Sequence, residues 1–213
     1  MSDVFSRIEQ FGVVPVIKLE KAEHARALGR ALVEGGLLVA EVTFRSAAAA
    51  GAIALLRKEY PELLVGAGTV LTVEQVEAAI SAGAVFAVTP GFNPRIVDAC
   101  LAKGLPVVPG INSPSQVEQA LERGINLLKF FPAEASGGVK MLKSLHGPYA
   151  DARFVPTGGI DASNLATYLA LSYVAAVGGS WMVKDDLVAA GAVPELAALC
   201  REAVTLARTA RAK

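Results

Sequence analysis

Eight short runs of apolar residues alternate with amphipathic, alanine-rich segments along the chain, and this alternation limits the possible folds more than any other feature. The runs begin at Val13, Leu37, Leu63, Val85, Pro106, Leu127, Arg153 and Val174. Most of them are almost continuously apolar, which is typical of parallel strands covered on both faces. Eight such units in 213 residues predict an α/β fold, the (β/α)8 TIM barrel, close to its lower size limit. An open doubly wound sheet has the same alternation and remains the alternative.

The segments between the runs repeat apolar residues at three- and four-residue spacing, as amphipathic helices do. Helices are predicted over 3–10, 23–34, 47–59, 73–82, 115–123 and 194–210. Thr72 and Ser113 stand where helix N-caps are expected, and Pro114 follows the second of them.

No linker, low-complexity tract or run of charge interrupts the chain, so we expect one domain over residues 1–213. It divides into an extra N-terminal helix (1–12), the strands and helices of the barrel (13–182) and a closing C-terminal helical segment (183–213).

Charge and composition favour a compact protein with a small-molecule partner. Hydrophobic residues make up 53% of the chain, and 20 Lys and Arg balance 20 Asp and Glu. This balance argues against a nucleic-acid or membrane-surface partner, because both normally require a basic excess. Cys100 and Cys200 lie far apart and are typical of buried thiols in a reducing compartment. With no signal peptide and no apolar run of about 18 residues, a cytoplasmic location is expected.

A lysine interrupts the apolar run "LLKFFP", where a charge taken out of water is costly unless it is paired or neutralised. In "EVTFR", strand alternation puts Glu41, Thr43 and Arg45 on one face and Val42 on the other. If Lys129 also faces inward, the amine and the Glu41 carboxylate share one enclosed space. A buried free amine can form a Schiff base with a carbonyl substrate, and the carboxylate can move protons. A structural ion pair, or a lysine reaching the barrel rim, is the alternative.

Paired glycines end the seventh and eighth predicted strands, in "PTGGI" and "VGGSW". Loops after these two strands of a barrel often hold phosphate through backbone N–H groups. Gly158, Gly159, Gly179 and the Ser180 hydroxyl are therefore the predicted phosphate cradle, and two tight turns are the alternative explanation. Thr69 ends the third strand, where small neighbours leave room for a ligand.

Known cofactor and metal motifs do not occur in the sequence. No His, Cys and carboxylate cluster has metal-ligand spacing, no GxGxxG follows the first strand, and there is no P-loop. We therefore expect a lysine-based mechanism that needs neither metal nor cofactor.

Taken in order, these pieces resemble the KDPG/KHG aldolase family, the class I aldolases of 2-keto-3-deoxy-6-phosphogluconate (KDPG) and 4-hydroxy-2-oxoglutarate (KHG). The resemblance covers nearly the whole chain. The motifs that carry it are "EVTFR", "VGAGTVL", "FFPAEASGGVK", "PTGGI" and "GGSW".

The resemblance implies a role for each matching residue. Lys129 corresponds to the Schiff-base lysine, Glu41 to the proton-transfer residue, and Arg45 and Thr69 to the binders of the pyruvyl carboxylate. Thr157 corresponds to the threonine near the aldehyde acceptor, and the glycine loops correspond to the phosphate cradle. The implied activity is reversible cleavage of KDPG to pyruvate and glyceraldehyde 3-phosphate in the Entner–Doudoroff pathway, with KHG as a further substrate. The implied assembly is a homotrimer.

The sequence departs from the family pattern at "EVTFRS", where many relatives have "EVTLRT", but Glu41 and Arg45 are retained. Ser180 favours the gluconate-derived substrate over the galactonate-derived one, whose aldolases tend to differ in this loop. The rival hypotheses are a phosphogalactonate aldolase, a sugar-phosphate barrel enzyme that uses the lysine only electrostatically, and an inactive binding module.

Overall fold

The computed structural model describes residues 2–212 and contains short parallel strands that alternate with helices. The strands are β1 (Val13–Ile17), β2 (Val39–Thr43), β3 (Leu64–Gly68), β4 (Ala87–Val88), β5 (Val107–Val108), β6 (Gly110–Ile111), β7 (Leu127–Phe130), β8 (Arg153–Phe154) and β9 (Val177–Gly179). The helices are α1 (Ser2–Phe11), α2 (His24–Glu34), α3 (Ala49–Glu59), α4 (Val73–Ser81), α5 (Pro94–Ala102), α6 (Pro114–Leu121), α7 (Gly138–His146), α8 (Leu165–Leu169), α9 (Asp185–Ala190) and α10 (Val193–Arg211).

Local chemistry explains where several of these helices begin. The Thr72 side chain accepts a hydrogen bond from the Gln75 N–H at 3.2 Å, so α4 begins at the predicted N-cap. Pro114 is the first residue of α6, directly after Ser113. The predicted helix ends differ from those observed by one or two residues, which is the usual uncertainty of such boundaries. Met1 and Lys213, at the ends of the predicted terminal segments, lie outside the described residues.

The strands form a curled parallel sheet. β1, β2, β3, β4, β5 and β9 are hydrogen-bonded in the order β5-β4-β3-β2-β1-β9, and β6, β7 and β8 form a second group in the order β6-β7-β8. Every strand pairing recorded within residues 2–212 is parallel. The register places Glu41 beside Val16 on one side and beside Gly66 on the other.

The fifth predicted strand differs from expectation because Pro109 divides it into β5 and β6. Proline has no N–H to donate, so it interrupts the ladder. Its carbonyl still accepts from the Lys129 N–H at 2.9 Å, which joins this strand to β7. At the other side of the second group, isolated parallel bridges join Phe154 to Val174 and Thr157 to Gly178.

Apolar side chains fill the space inside the curl and the space between strands and helices. Gly66 of β3 is required inside, because a Cβ there would lie 2.2 Å from the ring of the buried Phe86. On the outer face, Leu28 and Leu32 of α2 and Ile53 of α3 are fully buried. Within residues 2–212, no helix has the length and apolar character needed to cross a membrane.

Candidate active site

Lys129 and Glu41 meet inside the curl of the sheet. Lys129 lies on β7 and Glu41 on β2, and their exposed fractions are only 5% and 3%. The Lys129 Nζ donates to Glu41 Oε1 at 3.0 Å. Neither side chain is directed out among the helices, because strand alternation gives that face to apolar neighbours such as Val42 and Leu128. The amine and the carboxylate are therefore close enough to exchange a proton directly.

Lys129 lines a cavity of about 290 Å³ at the carboxyl-terminal ends of the strands. Its lining includes every predicted site residue except Glu41: Arg45, Thr69, Lys129, Thr157, Gly158, Gly159, Gly179 and Ser180. Glu41 lies one layer deeper, among apolar side chains that include Phe86 and Val155. The functional interpretation requires a space that admits a substrate beside the amine, and Lys129 lines such a cavity.

The Arg45 guanidinium, in the turn just after β2, is held by Thr43 at the end of that strand. Arg45 Nε donates to Thr43 Oγ1 at 3.1 Å, and that hydroxyl donates its own proton to the Ile17 carbonyl at 2.8 Å. Because the Thr43 hydroxyl donates its proton to the Ile17 carbonyl of β1, a lone pair on the hydroxyl oxygen remains free to accept from Arg45. The Nη groups at the tip of the guanidinium are then available for a bidentate contact with a carboxylate.

Thr69 is the one non-glycine residue in the described chain with a positive φ, +54°. A β-branched side chain rarely adopts this left-handed conformation, which costs on the order of 1–3 kcal/mol. Hydrogen bonds on both sides enforce it: Phe44 N–H donates to the Gly68 carbonyl at 2.8 Å, and Val70 N–H donates to the Val88 carbonyl at 3.2 Å. In this conformation, Thr69 lines the same cavity as the paired glycines that follow β8 and end β9.

The glycines after β8 and in β9 make room at the other side of the cavity. Gly158 and Gly159 have φ values of +99° and +77°, which favour glycine strongly. At Gly178, a Cβ would lie 2.3 Å from Thr157 Oγ1, so the Thr157 side chain occupies the space that this glycine leaves. At Gly179, a Cβ would lie 2.0 Å from the Trp181 ring. These glycines therefore serve close packing as well as an open loop.

Two residues at the site had no assigned role from the sequence. Thr43 was placed on the inward face by alternation, but its contacts with Ile17 and Arg45 depend on the register of β1 and β2. Phe131 lines the cavity, and the Lys129 Nζ lies 5.4 Å from the centre of its ring. Strand alternation does predict that Phe131 faces the same way as Lys129, but the contact itself depends on the path of the chain just beyond β7. Among residues 2–212, no group of three or more His, Cys, Asp or Glu side chains is arranged to hold a metal ion.

The arrangement is that of a TIM-barrel-like α/β protein with a buried lysine and carboxylate at the mouth of its parallel strands. The chain matches the family of KDPG and KHG aldolases over residues 4–199. It is 50% identical over 206 residues to the 2-dehydro-3-deoxy-phosphogluconate aldolase of Treponema pallidum, an alignment that covers 97% of this chain and 98% of that relative. This chain belongs to the KDPG and KHG aldolase family.

Solved structures agree with this assignment. The KDPG aldolase of Legionella pneumophila, with pyruvate captured as a covalent carbinolamine intermediate, has a TM-score of 0.89 at 39% identity, covering 92% of this chain and 96% of that one. The 2-keto-3-deoxy-6-phosphogluconate aldolase of Zymomonas mobilis, solved with 3-phosphoglycerate, has a TM-score of 0.90 at 37% identity, covering 97% of both chains. The fold is thus TIM-barrel-like rather than an open doubly wound sheet.

Proposed function

We propose that this chain is a class I aldolase, a carbon–carbon lyase that cleaves KDPG reversibly to pyruvate and glyceraldehyde 3-phosphate through a Schiff base on Lys129. The observation that carries the proposal is the buried Lys129 Nζ, 3.0 Å from Glu41 Oε1 and open to the cavity. The relative solved with a pyruvate carbinolamine supports covalent chemistry of the same kind. No metal or cofactor takes part in this mechanism.

In the forward direction, the neutral amine of Lys129 attacks the C2 ketone of the keto acid and forms a carbinolamine. Glu41 gives a proton to the departing C2 hydroxyl, water leaves, and an iminium ion remains. The Glu41 carboxylate then takes the proton of the C4 hydroxyl while the C3–C4 bond breaks. The electrons of that bond pass into the iminium, which becomes an enamine, and glyceraldehyde 3-phosphate departs. Glu41 returns the proton to C3, and water releases pyruvate from Lys129.

Contacts at both ends of the substrate hold C2 against the lysine. Arg45 and Thr69 bind the carboxylate next to C2, and Thr157 lies beside the aldehyde portion. Gly158, Gly159, Gly179 and Ser180 bind the distant phosphate through backbone N–H groups and a hydroxyl. Holding both ends turns attack by the amine into an intramolecular step, which is worth several kcal/mol of activation free energy.

KHG is a further substrate in this proposal, because it presents the same pyruvyl end to Arg45 and Lys129 and yields pyruvate and glyoxylate. The family description names both substrates. Ser180 favours the gluconate-derived KDPG over its galactonate epimer.

We further propose that the strands form one closed (β/α)8 barrel in a single domain. The bridges from Phe154 to Val174 and from Thr157 to Gly178, together with the Pro109 carbonyl that accepts from β7, support closure between the two strand groups. From the family resemblance we also propose that the protein is a homotrimer, that it is located in the cytoplasm and that it acts in the Entner–Doudoroff pathway. Light scattering during gel filtration tests whether the protein is a trimer.

Borohydride reduction in the presence of pyruvate tests the covalent step. The wild-type protein should gain a stable pyruvyl adduct that peptide mapping locates at Lys129, and Lys129→Ala should lose both the adduct and KDPG cleavage. Lys143→Ala, on the exposed face of α7, is the matched control and should retain both. KDPG cleavage that persists in Lys129→Ala would refute the mechanism. Turnover without an adduct would favour the sugar-phosphate enzyme that uses the lysine electrostatically.

A further inference from the structure

Three consecutive carbonyl groups in the loop after β8 all accept hydrogen bonds from residues outside the cavity lining. The Ala133 N–H donates to the Thr157 carbonyl at 2.8 Å, and the Glu134 N–H donates to the Gly158 carbonyl at 3.1 Å. The Asn164 Nδ2 donates to the Gly159 carbonyl at 2.9 Å. We call Thr157–Ile160 the glycine loop.

Anchoring these carbonyls fixes where the N–H groups of the glycine loop point. In a trans peptide group the C=O and the following N–H point in opposite directions. The N–H groups of Gly158, Gly159 and Ile160 are therefore turned away from the anchors, and all three residues line the cavity. Successive N–H groups that converge in this way form a concave site for an anion.

The anchors are themselves held by side chains outside the cavity lining. A Cβ at Gly159 would lie 2.7 Å from the Glu134 Cβ, so the Glu134 stem lies directly against the glycine loop. The Glu134 carboxylate accepts a short hydrogen bond from the hydroxyl of Tyr168, which is only 1% exposed. Burial and this hydrogen bond raise the pKa of Tyr168, so its hydroxyl remains a donor at neutral pH.

A second hydrogen bond, to the amide oxygen, fixes the orientation of the Asn164 side chain. Its Oδ1 accepts from the Asp161 N–H at 3.0 Å, which leaves the Nδ2 group directed at the Gly159 carbonyl. The amide thus closes a short bridge between the glycine loop and the start of α8.

We propose that Tyr168, Glu134 and Asn164 are positioning residues that hold the glycine loop in its anion-binding conformation and so set the preference for phosphorylated over unphosphorylated aldehydes. They act through the backbone of the glycine loop and do not touch the substrate. This inference rests on the proposed function.

The test compares two acceptors that differ only in the phosphate: glyceraldehyde 3-phosphate and glyceraldehyde, each added to pyruvate in the aldol direction. In Tyr168→Phe, the KM for glyceraldehyde 3-phosphate should rise about fivefold, as expected for one lost hydrogen bond, with kcat nearly unchanged. The kcat/KM for glyceraldehyde should stay within about twofold of wild type, because no phosphate interaction is involved. Asn164→Ala should likewise weaken the use of glyceraldehyde 3-phosphate but not that of glyceraldehyde. This variant replaces Tyr168→Phe in the test if Tyr168→Phe folds poorly.

Two controls separate positioning from a general loss of structure. Glu134→Gln keeps an oxygen acceptor for Tyr168 and should retain the wild-type preference, whereas Glu134→Ala should lose it. Tyr173→Phe makes the same chemical change beside His146, on which the Tyr173 ring stacks, and should leave both acceptors unaffected.

Equal losses with both acceptors, or an unchanged preference in both Tyr168→Phe and Asn164→Ala, would overturn the inference while leaving the proposed function intact. A wild-type protein that adds pyruvate to neither aldehyde would instead overturn the proposed function, and this inference with it.

Discussion

The two ends of the curled sheet are built from different chemistry. At the carboxyl-terminal end of the strands, glycines, threonines and one arginine surround a cavity of about 290 Å³. At the amino-terminal end, Arg153 of β8 forms a two-nitrogen ion pair with Glu9 of α1. Arg211 of α10 donates to the backbone carbonyls of Glu9 and Ala175. Small side chains line the cavity at the first end, whereas long charged side chains connect helices to a strand and to backbone carbonyls at the second.

The interior between the two ends is packed. Below the Lys129–Glu41 pair, apolar side chains such as Val14, Phe86 and Val108 leave a space of only about 10 Å³. This packed layer lies between the two ends, and changes at distant sites that share no partners usually act independently. In such folds the carboxyl-terminal face carries activity and the amino-terminal face carries stability. The predictions below test that division, from the largest effect to the smallest.

Of these changes, Glu41→Gln should lower the catalytic rate most. The amide keeps the size of the side chain but cannot take the C4 hydroxyl proton, so kcat for KDPG cleavage should fall about 10²- to 10⁴-fold. Imine formation with pyruvate should slow but remain possible with a proton from water, so borohydride should still label Lys129. A lactate dehydrogenase-coupled assay measures the first effect and mass spectrometry the second. Unchanged turnover in Glu41→Gln would show that Glu41 is not the proton-transfer residue. The matched control is Glu9→Gln, the same chemical change at the amino-terminal end of the sheet.

Thr43→Val should weaken substrate binding more than it slows turnover. Valine has the shape of threonine but cannot accept from Arg45 Nε, so the guanidinium loses its support on β2. We expect KM for KDPG to rise about tenfold, the value for one hydrogen bond to a charged group. Thr43→Ser retains the hydroxyl and should remain near wild type. Steady-state kinetics distinguish the variants, and an equal fall of kcat in both would contradict a role through Arg45.

Glu9→Gln should lower stability and leave activity unchanged. The hydrogen bond from Arg153 lowers the pKa of Glu9 below its ordinary value, so the charged carboxylate stabilises the fold at neutral pH. The stabilisation is lost as pH falls through the folded-state pKa, when the carboxylate becomes protonated. Because both side chains are at least about a third exposed, the loss of stability should be below about 1 kcal/mol, and the Tm decrease at pH 7 should not exceed ~2–4 °C.

Thermal unfolding at pH 7 and at pH 3 measures that difference. The Tm gap between wild type and Glu9→Gln should shrink in acid. A gap that grows in acid, or a fall in kcat/KM at pH 7, would break the division between the two ends.

The smallest expected effect concerns Cys100 and Cys200, which should not react with a disulfide reagent in the folded protein. Both are fully buried in helices on the outside of the sheet. Burial raises the pKa of the Cys100 thiol to about 11 and that of Cys200 to about 12. At pH 8 at most about one thiol in a thousand is ionised, so a disulfide reagent should label neither until denaturant is added. Rapid labelling of the native protein would show that the outer layer opens.

Local patterns account for much of the fold and for the choice of site residues. The two-residue alternation of a strand predicts that Glu41 faces inward, because side-chain direction in a strand depends only on the neighbouring backbone. The same alternation leaves open which way Lys129 faces. The N-cap at Thr72 and the helical periodicity are equally local. The paired glycines indicated the open loops, since their steric freedom is a property of the residue itself.

Other features depend on partners far away in the chain. Pro109 splits the fifth strand, yet its carbonyl still pairs with β7, and this follows from the register between neighbouring strands. Arg153 finds Glu9 across 144 positions of sequence. The hydrogen bond from Tyr168 to Glu134, 34 positions earlier in the chain, also requires the complete fold.

The sequence alone therefore determined which residue types face inward and which loops lack side chains. Only the tertiary structure decided that Lys129 and Glu41, 88 positions apart, lie 3.0 Å from each other above a packed interior. The physical reason is that side-chain direction is set by a few backbone torsions, whereas a distance between strands is set by register and by the packing of the whole core.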